Sequence, residues 1–306
     1  MYPHTRARLR LMALGASAIT VGSLLTLPAP ARAEDAPVTM SVAGETSKLD
    51  YGRRVSLRGR APSTAAPRSV TIQFAPRGKG FGPIAQVQSA ADGSYAFKAR
   101  AKRSGAYRAV VEGQAPSAAQ RITVRARFKA RASEHLKRGE RASLSGTLTP
   151  STEGRTVLIE VSHGGDWKRV AKARTTDGGK FKAAWKATRH GRYLVRARFA
   201  GDDANAASSR ELGRLNVYRP SHASYYGPGL YGNPVACGGT LTPGRIGVAH
   251  KSLPCGTKVT FRNGNRTVTA EVIDRGPYVG GRTWDLTAAT KRKLGFGSTG
   301  TVWSTS

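Results

Sequence analysis

Acidic residues are scarce in this chain. Over 306 residues, 18 Asp and Glu stand against 50 Lys and Arg, a formal net charge of +32. A field of that size concentrates a protein at anionic polymers and lipid headgroups in a salt-dependent way. Nucleic acid is the other polyanion that such a charge suits, but no nucleic-acid-binding motif is present, so none is expected as a partner. Cysteine is nearly absent. Cys237 and Cys255 are the only two, and together with His250 they lack metal-ligand spacing, so neither metal nor cofactor is expected. Long apolar runs are also missing: after Leu27 nothing approaches the roughly 18–20 residues of a membrane span.

What is present begins with an export signal. Arg6, Arg8 and Arg10 precede an apolar stretch from Leu11 to Leu27, and Ala31-Arg32-Ala33 has small residues at the spacing a signal peptidase reads. Residues 1–33 are read as a signal peptide. Their removal takes away four arginines and no acid, leaving +28 on a chain that starts near Glu34. A lipoprotein would need a cysteine at the cleavage site, and there is none. The expected product is secreted, extracytoplasmic and without a lipid anchor. In that compartment an even cysteine count points to one Cys237–Cys255 disulfide, worth about 3 kcal/mol in the chain-entropy model. Two free buried thiols are the alternative.

The middle of the chain repeats itself. Gly52, Leu57 and Gly59 recur 87 residues later as Gly139, Leu144 and Gly146, and Val70 with Ile72 recur as Val157 with Ile159. Further on the spacing becomes 86: Phe81 matches Trp167, Tyr95 matches Phe181, and Gly105 with Tyr107 matches Gly191 with Tyr193. Alternating stretches such as Val70–Phe74 and Tyr193–Ala197 are separated by Asp-Gly turn signals, and no helical period appears. About seven short strands in each copy predict two tandem immunoglobulin-like β-sandwiches, residues 36–126 and 127–217. Residues 218–222 are read as a link to the rest. Residues 219–306 carry 11 Lys and Arg against three acids, so most of the charge, +20, falls on residues 34–218.

Those three acids are Glu271, Asp274 and Asp285. Asp274 follows Val272 and Ile273 and abuts an Arg-Gly-Pro turn, a setting that partly desolvates its carboxyl. In a regular strand Glu271 points to the opposite face from Asp274, so one groove holds at most one of them. Only Asp274 with Asp285 remains as a pair for glycosidic-bond chemistry by two carboxylates. Thr257–Phe261, the turn at Asn263-Gly264 and Arg266–Ile273 read as a hairpin. A helix is expected after Asp285, with Thr287 placed to cap it, Lys291, Arg292 and Lys293 near its end, and Gly295 stopping it. Asp285 is equally readable as a turn or capping carboxylate.

The series ASYYG, AHKSLPCGT, EVIDRGPYVGGRTWDLT and LGFGSTGTV, all within residues 223–306, resembles the double-psi β-barrel of rare lipoprotein A, a bacterial family of peptidoglycan lytic transglycosylases, and more distantly the barrel of expansins. The resemblance covers about the last 85 residues and implies an all-β chain ending in a six-stranded double-psi β-barrel. It implies peptidoglycan glycan strands as the partner, Asp274 as general acid/base and Asp285 in support. His250 falls on a position the family retains, although a lone histidine is as readable as a structural hydrogen-bond partner. Arg275 and Tyr278 flank the Asp274 turn, and Tyr225, Tyr226 and Tyr231 are candidates for stacking on sugar rings, or for the core. Trp284 alternates away from Asp285 and reads as core. One departure matters: where the lytic enzymes carry a glutamate, this chain has Gly239 or Thr240. The second reading is therefore a non-catalytic, expansin-like module that binds or loosens the wall. A monomer is expected in either case.

Overall fold

A computed structural model describes residues 36–44, 47–63 and 66–306; the expected signal peptide lies outside these. Among the described residues the chain is all-β apart from one short helix and a single 3-10 turn.

The repeated residues are core residues. In the first copy the strands Thr39–Val42, Arg54–Arg60 and Ser94–Arg100 pair in one sheet, and Gly82–Gln88, Ser69–Pro76, Gly105–Val110 and Gln120–Arg125 pair in another. Leu57, Val70, Ile72, Tyr95 and Tyr107 are buried between them. The second copy follows the same plan. Arg127–Ala132, Arg141–Thr149 and Lys180–Lys186 form one sheet. Trp167–Arg174, Thr156–Ser162, Gly191–Gly201 and the start of Ala206–Tyr226 form the other. Leu144, Val157, Ile159, Phe181 and Tyr193 fill its core. Period-two alternation places one face of each strand inward, and removal of that face from water stabilises each copy at about 25 cal/mol per Å² of apolar area.

The strand Ala206–Tyr226 is 21 residues long and belongs to two bodies. Its first half pairs with Gly191–Gly201, and its last residues enter the C-terminal barrel. Residues 218–222, read from sequence as a link, are therefore strand throughout. Proline at 220 did not interrupt it because a residue without an N–H is tolerated where the ladder does not need one. Lys137 Nζ, 4.7 Å above the Trp303 ring, and Arg192 Nη1, 3.2 Å from Lys258 O, add side-chain ties across the same junction.

The barrel ladder closes on itself. Ala206–Tyr226 pairs antiparallel with Gly300–Ser304, which pairs with Lys258–Asn263, which pairs with Arg266–Asp274. Arg266–Asp274 runs parallel to Gly247–Ala249, and Gly247–Ala249 pairs with Trp284–Thr287, which returns to Ala206–Tyr226. Phe261, Val272, Trp284, Leu286 and Val302 are buried inside. The helix Ala288–Leu294 starts where Thr287 Oγ1 accepts from Thr290 N at 3.2 Å and ends at left-handed Gly295. Lys291, Arg292 and Lys293 occupy its last turn, where cations complement the helix dipole.

Candidate active site

Asp274 is placed by an irregularity in its strand. Val248 stands opposite Val272, but Ala249 stands opposite Asp274, so Ile273 is the extra residue of a bulge. A bulge re-aims the side chain that follows it. The displaced Ile273 side chain lies over Gly247, where a Cβ would overlap it, and packs with Val235, Leu241 and Tyr226 in a small cluster beside the main core. Ala249 also stands opposite Asp285 on its other side. The two aspartates thus flank one alanine, two strand spacings or roughly 10 Å apart across the sheet.

Asp274 is half-buried, and its Oδ1 accepts two backbone amides, Ala236 N at 3.0 Å and Arg275 N at 2.9 Å. Both donors take the same oxygen, which orients the carboxylate without occupying Oδ2. Ala236 is itself held by its neighbour: Cys237 N donates to Ile273 O at 3.1 Å, and Cys237 is disulfide-bonded to Cys255. Arg275 grips the other side of that disulfide, donating from Nη1 to Leu253 O at 3.0 Å and from Nη2 to Cys255 Sγ at 3.3 Å. Arg275 is thus a clamp on the loop after His250.

His250 Nδ1 accepts the amides of Ser252 at 3.1 Å and Leu253 at 3.0 Å. An imidazole nitrogen that accepts twice carries no proton, so the neutral ring is protonated on Nε2. Burial first, then the charges of Arg219, Arg275 and Lys251, holds its pKa below the usual histidine value. The ring leans on Trp284, centroids 4.5 Å apart, and Trp284 is fully buried and edge-on to Phe261. With Nδ1 taken up by two amides, Nε2–H is the ring's donor.

Asp285 accepts a short hydrogen bond from Ser224 Oγ, and Ser224 in turn accepts from Arg282 Nη1 at 3.2 Å. It does not cap the helix; Thr287 does. The Tyr226 hydroxyl is buried beside the Asp274 carboxylate. Burial pushes its pKa up, and the negative charges of Asp274 and then Asp285 push it further, which places the phenol within electrostatic reach of both carboxylates. Tyr225 is separate: one face of its ring is covered by Lys291 Nζ at 3.6 Å from the centroid. Tyr231 is 37% exposed and Tyr278 84% exposed, which leaves their rings available to a ligand. Glu271 lies outside the group, 3.5 Å from Lys258 Nζ on the barrel surface.

Sequence reasoning named Asp274, Asp285, His250 and Arg275 but not Ala236, Ser224 or Arg245. The first acts through its amide, which no side-chain pattern reveals. Arg245 donates to Thr240 O at 2.8 Å and Gly238 O at 3.1 Å. Gly239 has φ +78°, and a Cβ there would meet the Arg245 guanidinium at 3.1 Å. This turn is built for glycine at 239, one of the two positions, with Thr240, that the resemblance sets against the glutamate of the lytic enzymes.

Residues 221–303 match the family model described as Lytic transglycolase. Over 81 residues the chain is 42% identical to a Synechocystis protein named "Probable endolytic peptidoglycan transglycosylase RlpA", covering 26% of this chain and 25% of that one. It is also 42% identical over 82 residues to the Campylobacter jejuni endolytic peptidoglycan transglycosylase RlpA, covering 26% and 30%. The chain therefore spans about a quarter to a third of the length of these relatives. Among solved structures, a tetra-tandem repeat of a large adhesion protein covers 78% of this chain and 63% of its own at 16% identity, with a TM-score of 0.32. Motif, closed ladder and identity agree over one span: the C-terminal domain of this chain is an RlpA-like double-psi β-barrel.

Proposed function

We propose that this is a secreted cell-wall protein whose barrel cleaves peptidoglycan glycan strands as an endolytic lytic transglycosylase. The observation that carries the reading is the half-buried Asp274 carboxylate, oriented through one oxygen by two amides and flanked by a neutral His250 and a second aspartate. The names of the relatives support the same reaction. Asp274 protonates the glycosidic oxygen as the C1–O bond breaks, then takes the proton of the muramoyl 6-hydroxyl as that oxygen closes on C1. The proton returns to Asp274, a 1,6-anhydro-muramoyl end forms, and no water is consumed. Asp285 and Tyr226 supply the polar wall beside the developing positive charge, and Tyr231 and Tyr278 offer stacking faces.

Upstream, the duplicated sheets are two immunoglobulin-like sandwiches, residues 36–126 and 127–217, leading into a six-stranded barrel over 223–306. Their charge, +20 over residues 34–218, suits anionic wall polymers or a membrane surface, and the chain acts as a monomer. The test is digestion of purified, peptide-free glycan strands with the protein, with mass spectrometry of the ends. Anhydro-muramoyl ends support the reading. Their absence, with glycan binding retained, leaves a wall-binding module instead, the outcome that Gly239 or Thr240 in place of a glutamate would then explain.

A further inference from the structure

The two copies of the repeat differ at the end that meets the barrel. In the first copy Phe74 lies against Tyr107, centroids 4.7 Å apart, and Ala99 stands opposite Val55. In the second copy the ring against Tyr193 is His163, at 5.0 Å, and Trp185, which takes the place of Ala99 at the repeat spacing, stands opposite Ala142. The Trp185 ring is edge-on to Tyr193 at 5.7 Å. An apolar contact in one copy has become, in the other, a cleft of about 570 Å³ lined by Trp185, Tyr193 and His163, with Asp166, Lys168 and Arg189 at its rim. Tyr193 has its hydroxyl bonded to Arg189 O at 3.2 Å. The first copy closes the same fold with Ala99 at this position.

The cleft lies at the end of its copy that meets the barrel. Arg192, beside Tyr193, donates to Lys258 O. Lys258 is paired with Glu271, three residues or about 10 Å of strand before Asp274. We propose that this cleft is a subsite for a distal part of the same glycan strand that the barrel holds at Asp274. The inference rests on the reading of the barrel given above. Aromatic rings suit the C–H faces of a pyranose, Asp166 accepts from sugar hydroxyls, and Lys168 with Arg189 suits the free lactyl carboxylate of a muramoyl residue that has lost its peptide. The ligand class is therefore peptide-free, acidic glycan.

The experiment measures affinity of the full chain, in an Asp274→Asn background that leaves strands intact, for peptide-free glycan strands and for a muramoyl disaccharide. Trp185→Ala is expected to weaken binding of long strands about tenfold, the scale of one lost aromatic contact, and to weaken the disaccharide, which cannot span cleft and barrel, by less. His163→Ala, on the exposed side of the cleft, weakens long-strand binding without a folding risk. Unchanged long-strand affinity in His163→Ala and in a Trp185→Ala protein shown folded by circular dichroism overturns the subsite, whatever the barrel does. Loss of long-strand affinity with no anhydro-muramoyl ends from the unsubstituted protein upholds the subsite and removes the catalytic reading instead.

Discussion

The amide of Ala236 donates to Asp274 Oδ1 at 3.0 Å across 38 residues of sequence. The donor sits one residue before Cys237, and the acceptor one residue after Ile273, whose carbonyl receives the Cys237 amide. The disulfide therefore anchors the group that orients the Asp274 carboxylate. Reduction, or Cys237→Ser with Cys255→Ser, is expected to cost about 3 kcal/mol of stability. Activity on glycan strands should fall further at 25 °C than the folded fraction alone accounts for. Thermal denaturation and turnover, each with and without reductant, check both.

Asp274→Asn keeps the two amide contacts at Oδ1 and removes the titrating proton. A loss of about 100- to 10,000-fold in anhydro-muramoyl product is expected, with little change in melting temperature. Asp285→Asn should cost less, because it alters a group that bonds Ser224 rather than the one that transfers the proton. Quantitative mass spectrometry of the ends, with wild-type protein as reference, separates the two. Equal cleavage by wild type and Asp274→Asn would falsify the assignment.

Ile273 fills the space that a side chain on Gly247 would need. Gly247→Val should therefore destabilise the barrel by roughly 1–3 kcal/mol through overpacking and should displace the bulge that aims Asp274. Adding Ile273→Ala to Gly247→Val is expected to recover part of the stability. Denaturant unfolding of the single and double variants gives the coupling; strict additivity would show that the two do not share the space.

His250 is held below the ordinary histidine pKa of about 6.5. The folded protein thus binds fewer protons here than the unfolded chain, so the contribution to stability is complete above about pH 6.5 and is lost as pH falls through the folded value. His135 and His190 are lowered too, burial being the first cause of each. Melting temperature should fall between pH 7 and pH 5, and His250→Asn, which keeps an acceptor for the Ser252 and Leu253 amides, should flatten that fall. An identical pH profile in the variant would exclude His250 as a contributor.

Retention of the full chain on isolated walls should drop steeply between about 0.1 M and 1 M salt, as the screening length shrinks from about 10 Å to about 3 Å. Walls stripped of anionic polymers should hold it less at low salt. Retention indifferent to salt would remove the electrostatic role of the basic repeats.

Much of this protein was legible in its residues because the signals are local. Alternating apolar residues, Asp-Gly turns and an 86- to 87-residue repeat mark the strands and pick out their cores, down to Leu57 with Leu144 and Ile72 with Ile159. Thr287 and Gly295 mark the ends of the helix, and the turn chemistry of Asn263-Gly264 marks its hairpin. The spare set of acids leaves Asp274 and Asp285 as the pair to consider. Other features depend on contacts between distant segments. Period-two reasoning separates Glu271 from Asp274 but says nothing of the bulge at Ile273, which exists because Gly247 leaves room for the displaced side chain. Residues 218–222 have the composition of a link, yet they are strand because two bodies each supply a neighbour for that backbone. The tautomer of His250 follows from two amides that meet Nδ1 in the folded chain, and the orientation of Asp274 from an amide 38 residues away. Local propensity and pattern determine which segments become strands; which oxygen a carboxylate presents to a substrate is decided only when remote backbone donors converge on it.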